Sequence, residues 1–163
     1  MTGLGLVGLM GLWQNSSHTS HHTSTIGWFD NCTLRFSNYI FGSEDDIPSC
    51  YRYNRNNVSD VDGYDKAVKS LLDSMISEAA SSNRKFATKT SVAPDLSKLY
   101  GFVQCTPDLS EQQCNNCLEM TSSQLPLYSI GKGGGRFYTP SCNFRFDTYL
   151  FFNLELKHPC HHH

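Results

Sequence analysis

Charge is scarce in this chain and leans to neither sign. Lys, Arg, Asp and Glu together make up 17% of 163 residues, and the formal net charge is −2. No cluster of Lys and Arg occurs anywhere, which removes the electrostatic footprint that nucleic acid or an anionic membrane surface requires. Long apolar runs are also missing. The most apolar stretch, residues 4–13, is too short to span a bilayer, and no Lys or Arg precedes it as in a secretory leader. Residues 1–26 are therefore read as poorly structured or signal-like. Nor does any nucleophile–base constellation or helical His–Glu pair occur, so the reading is of a protein that is not an enzyme.

Cysteine, by contrast, is plentiful. Seven cysteines accompany three Asn-x-Ser/Thr sequons at Asn15, Asn31 and Asn57, a combination that points to an oxidising, glycosylating compartment. The odd count leaves at least one thiol free or paired with another chain.

The chain also repeats itself. Residues 30–41 read DNCTLRFSNYIF and residues 141–152 read SCNFRFDTYLFF, with Cys32 and Cys142 110 residues apart. A period of that size suggests tandem domains. Nothing upstream of Gly27 matches what lies upstream of Ser141. Residues 27–42 are therefore taken as the terminal strand of a truncated first domain, residues 46–152 as a nearly complete second one, and residues 153–163 as a tail.

Periodicity within the second copy predicts its elements. A helix starts at a cap on Ser59 or Asp60 and runs to about residue 80, with Val61, Tyr64, Val68, Leu71, Leu72, Met75, Ile76 and Ala79 on one face. Short strands are expected over 85–88 and 99–104, flanking a loop with Pro94. Ser110 and Gln113 form a capping-box pattern for a second helix ending near residue 122. Residues 136–139 and 142–152 are expected to form a hairpin around Pro140-Ser141. Its last strand places Cys142, Phe144, Phe146 and Leu150 on a core face. Cys32, Leu34 and Phe36 repeat that parity. The fold class is α+β, with two helices packed on an antiparallel β-sheet.

Cys105, Cys114 and Cys117 follow a C-x8-C-x2-C spacing. Cys114 and Cys117 share one side of the second helix, Cys105 ends the strand before it, and Cys142 faces the core. Two staples follow, Cys105–Cys114 and Cys117–Cys142, each contributing about 3 kcal/mol in the loop-entropy account. Zinc sites usually show two short-spaced pairs, and only one exists here; a redox C-x-x-C belongs at a helix start rather than inside a helix.

The segment FVQCTPDLSEQQCNNCL, with NRNNVSD before the first helix and GKGGGRFYTPSCNFRFDTYLFF at the end, resembles the plant ginkbilobin-homologous domain. That domain occurs in cysteine-rich receptor-like kinases, plasmodesmal proteins and cysteine-rich repeat secretory proteins. The resemblance covers residues 27–152. It implies a secreted, apoplastic recognition module with a defence, antifungal or stress-signalling role, and carries no cofactor. Some members bind mannose through an Asn, an Arg and a carboxylate; the Arg falls on Arg136 and the carboxylate on Asp147. The Asn position is occupied by Tyr51, with Asn54 and Asn56 nearby. On the predicted hairpin Arg136 lies opposite or diagonal to Asp147, where the two bracket sugar hydroxyls or simply form a surface ion pair.

The implied partners are a glycan, or an extracellular protein or second copy if sugar binding has been lost. The family places cysteines near residues 127–129, where this chain has Leu-Tyr-Ser, so Cys50 is expected to lack its mate. Arg145, mirrored by Arg35, reads as either a surface contact or a stem packed on aromatics, with the structural role favoured, and Lys132 as a solvated turn residue. The His18, His21 and His22 group and His161 to His163 are not assigned a metal.

Overall fold

The computed structural model describes residues 12–16, 24–28, 33–37 and 50–152. The chain divides into two compact units, one formed by residues 1–48 with 155–163 and the other by residues 49–154.

In the first unit, strands β1 (Leu12–Ser16), β2 (Ser24–Trp28) and β3 (Thr33–Ser37) form an antiparallel sheet in the order β1-β2-β3. Two of these strands lie mostly inside residues 1–26, where the sequence reading expected little regular structure. Leu34, expected on a core face, is half exposed. It stands opposite the buried Gly27, and the described residues of this unit contain no helix to cover it.

The second unit begins with β4 (Cys50–Tyr53) and helix α1 (Val61–Ser81). Asp60 caps α1, its carboxylate accepting the Gly63 N–H at 3.0 Å. Tyr64, Val68, Leu71, Leu72, Met75, Ile76, Ala79 and Ala80 are buried along one stripe, the face that 3.6-residue periodicity dictates. Strands β5 (Phe86–Val92) and β6 (Lys98–Cys105) follow, then α2 (Glu111–Ser123) and the single turn α3 (Leu125–Tyr128). The box at the start of α2 is complete: Gln113 N–H donates to Ser110 Oγ, and Ser110 N–H donates back to Gln113 Oε1. Strands β7 (Gly134–Tyr138) and β8 (Cys142–Asp147) close the chain's last hairpin.

All five strands are antiparallel, in the order β4-β7-β8-β6-β5. Strand alternation turns Ala87, Leu99, Val103, Phe137, Phe144 and Phe146 toward the helices, where all are buried. At Gly101 on β6 an added Cβ would stand 2.6 Å from Met75 Cε and 2.9 Å from a Leu71 methyl, so this glycine lets α1 seat directly on the sheet. The α+β architecture of two helices on an antiparallel sheet is the one the sequence predicts. Two details differ. Strand β5 extends to Val92, and Leu150 is 61% exposed rather than core-facing, because β8 ends at Asp147 and its alternation stops there.

Two disulfides join Cys105 to Cys114 and Cys117 to Cys142. The first ties the end of β6 to α2, and the second ties α2 to β8. Both lie against the buried cluster under the helices. Cys50 is a free thiol. Cys32 and Cys160, and both histidine groups, lie outside the described residues.

A candidate recognition face on the outer side of the sheet

The sheet's second face carries the polar residues. Register puts Arg52 of β4 beside Arg136 of β7, and Arg136 beside Arg145 of β8, so three guanidinium-bearing residues line up across adjacent strands. Directly opposed like charges cost stability unless something offsets them. At Arg145 the offset is visible. Its guanidinium lies 3.8 Å from the centre of the Phe151 ring, and its Nη2 donates to Tyr149 Oη at 2.7 Å and to Asp147 Oδ2 at 3.4 Å. Burial, and after it the Arg136 guanidinium, lowers the proton affinity of Arg145. Arg136 Nη1 donates to Tyr138 Oη at 3.3 Å.

Asp147 is diagonal to Arg136 across the hairpin, opposite Gly134. The residue is 5% exposed, and its carboxylate accepts the Thr148 N–H at 3.1 Å and forms an ion pair with Arg145. The sequence reading brought Arg136 and Asp147 to one face, and the register does so. What the reading missed at Arg145, which does rest on the Phe151 and Tyr149 rings, is its ion pair with Asp147. Arg52 was missed as well, although the alternation of Cys50-Tyr51-Arg52-Tyr53 was a strand signal.

Tyr51, which stands where the resemblance places a binding Asn, pairs with the core-facing Phe137 and so belongs to the helix side. Its ring stacks on Tyr128 with centroids 4.1 Å apart. Asn54 follows the end of β4; its N–H donates to Gly134 O at 2.8 Å, and its Oδ1 accepts the Asn56 N–H in a local turn. Lys132 is not merely solvated. Its Nζ donates to Asn57 Oδ1 at 2.7 Å and lies over the Tyr53 ring. On Cys50, burial raises the thiol pKa against the opposing pull of Arg52, which makes it a weak nucleophile at neutral pH. Among the described residues no group of three or more His, Cys, Asp or Glu side chains is placed to hold a metal. Chemically, the outer face offers forked N–H donors beside carboxylate and amide acceptors, a set suited to polyhydroxylated or anionic ligands.

A family model described as salt stress response/antifungal matches residues 49–149. The chain belongs to this family. It is 38% identical over 125 residues to the antimicrobial ginkbilobin-2-like protein of Castanea crenata, covering 76% of this chain and 52% of that protein. It is 36% identical over 129 residues to cysteine-rich receptor-like protein kinase 25 of Arabidopsis thaliana, covering 77% of this chain and 19% of the kinase. With the Arabidopsis cysteine-rich repeat secretory protein 38 it shares 38% over 128 residues, covering 77% of this chain and 51% of that one. The chain thus spans about half the length of the secretory and antimicrobial relatives and about a fifth of the kinase. The tandem DUF26 ectodomain of the Arabidopsis receptor-like protein PDLP5 shares the fold, with a TM-score of 0.56 at 23% identity, covering 64% of this chain and 52% of that one. Among the described residues no helix is long and apolar enough to cross a membrane.

Proposed function

We propose that this domain is a secreted, non-enzymatic recognition module that binds glycan, of mannose type, on the outer face of its sheet, in a defence, antifungal or stress-signalling setting. The observation that carries the reading is the register of the β7–β8 hairpin. Arg136 and Asp147 lie diagonally on one face, and Arg145 fixes the carboxylate between them. The Arg136 fork can engage neighbouring hydroxyls at little ordering cost, and the buried Asp147 carboxylate acts through the Arg145 that it holds beside that fork. Membership of a family with antimicrobial and secretory relatives supports the extracellular setting. The test is glycan binding by the oxidised protein. Mannose-type glycans should bind the wild type, and Arg136→Ala should weaken that binding at least tenfold with the fold intact. Well-folded protein that binds no sugar overturns the reading.

A second reading, a protein–protein interaction ectodomain without sugar binding, is favoured by one observation. Tyr51, rather than an Asn, fills the third position and lies on the opposite face from Arg136. Concentration-dependent association without ligand, measured by light scattering, would favour it over the first.

A further inference from the structure

Strand β4 lies at one edge of the five-stranded sheet. Edge strands expose unpaired backbone groups, and proteins usually blunt or cover them. This edge carries exposed aromatics: Tyr51 is 44% and Tyr53 51% exposed, and the stacked Tyr128 is 38% exposed. Just beyond β4 lies the sequon Asn57-Val58-Ser59, with Asn57 and Ser59 both exposed. The Asn57 side chain is oriented by one contact: its Oδ1 accepts from Lys132 Nζ at 2.7 Å, while Asn57 and Lys132 also form a backbone bridge. The same ammonium lies 5.2 Å from the centre of the Tyr53 ring. One cation therefore touches both the amide and the ring, leaving Nδ2 as the half of the amide that it does not engage.

From this geometry we infer that Asn57 carries an N-linked glycan whose innermost N-acetylglucosamine lies against Tyr53 and covers the β4 edge. In the transfer, the bond from Nδ2 to the sugar C1 forms as the bond from C1 to the diphosphate of a lipid-linked oligosaccharide breaks. The amide gives up one proton, the diphosphate leaves with the bonding pair, and nothing is oxidised or reduced. In the product Asn57 Oδ1 is still a carbonyl acceptor, so the hydrogen bond to Lys132 is compatible with the modification, because only the nitrogen is substituted. A pyranose ring offers an apolar C–H face to an aromatic ring and hydroxyls at its rim. Tyr53 supplies the ring, and Lys132 supplies a donor beside it. The glycan stands apart from the outer-face residues proposed to recognise ligand.

The experiment is secretion of the full chain, fused behind a secretory leader, from eukaryotic cells, peptide mapping with and without peptide-N-glycosidase, and NMR of the intact glycoprotein. Peptides containing Asn57 should carry glycan in most molecules, and the enzyme should leave an aspartate at that position. Ser59→Ala should abolish the modification without touching the Asn57–Lys132 contact. Protons of the innermost sugar should show an upfield ring-current shift, which Tyr53→Ala removes while occupancy stays unchanged. Secreted protein with bare Asn57 overturns the inference, and so does a glycan on Asn57 whose innermost sugar shows no ring-current shift.

Discussion

A Cβ built on Gly134 stands 2.7 Å from both Cγ and Oδ1 of Asp147, closer than a real Cβ comes to atoms it is not bonded to. Gly134, the first residue of β7, is thus the floor on which the buried carboxylate sits, and it places that carboxylate where Arg145 reaches it.

Gly134→Ala should therefore act through Asp147. Overpacking of this kind costs about 1–3 kcal/mol, and urea midpoints should fall accordingly. Asp147→Ala alone strands the largely buried Arg145 without its ion-pair partner, a loss on the order of 3 kcal/mol. In the double variant the clash disappears with the carboxylate, so the two costs should sum to clearly more than the double variant loses. Strict additivity would show that Gly134 does not set the carboxylate's position.

The two disulfides close loops of different length, with sequence separations of 9 for Cys105–Cys114 and 25 for Cys117–Cys142. Entropic constraint of the unfolded chain grows with the logarithm of loop length, so losing the longer staple should cost about 1 kcal/mol more than losing the shorter. The comparison needs both cysteines of a pair changed to alanine, so that no stray thiol remains. Denaturant midpoints of the two double variants measure it. Equal losses, or a larger one for Cys105 and Cys114, would mean that contacts around the sulfurs outweigh loop entropy.

Much of this architecture was legible because burial wrote itself into periodicity. Tyr64, Val68, Leu71, Leu72, Met75, Ile76 and Ala79 can share one side only on a helix, and the cysteines of α2 point to a sheet only if that sheet bears Cys142. Where burial is weak the pattern goes silent. Strand β5 continues through Thr88, Lys89, Thr90 and Ser91 at a sheet edge with little apolar alternation, and β1 ends in Gln14, Asn15 and Ser16. At the site, residue parity was enough to bring Arg136 and Asp147 to one face. It could not show that Arg145 would turn its charge inward to Asp147 while resting on Phe151. That arrangement depends on residues 148–152, where the regular alternation of β8 has ended.

The β5–β6 turn makes the last prediction, one of pH. Asp95 Oδ1 accepts both the Ser97 N–H at 3.0 Å and the Ser97 hydroxyl at 2.6 Å. Those hydrogen bonds, the hydroxyl's first, hold the Asp95 pKa below the ordinary value of 3.8. A carboxyl with a lower pKa folded than unfolded binds fewer protons in the folded state. Its contribution is complete above the ordinary value and disappears as pH falls through the folded value. Asp95→Asn keeps an acceptor for the Ser97 N–H but removes the charge and its titration. Relative to wild type, the variant should be less stable at neutral pH, and the gap should hold down to near 3.8 and narrow as the pH falls below it. Urea midpoints on both sides of that value measure the difference, and a gap that stays constant or widens below it would show that Asp95 owes the turn nothing through its charge.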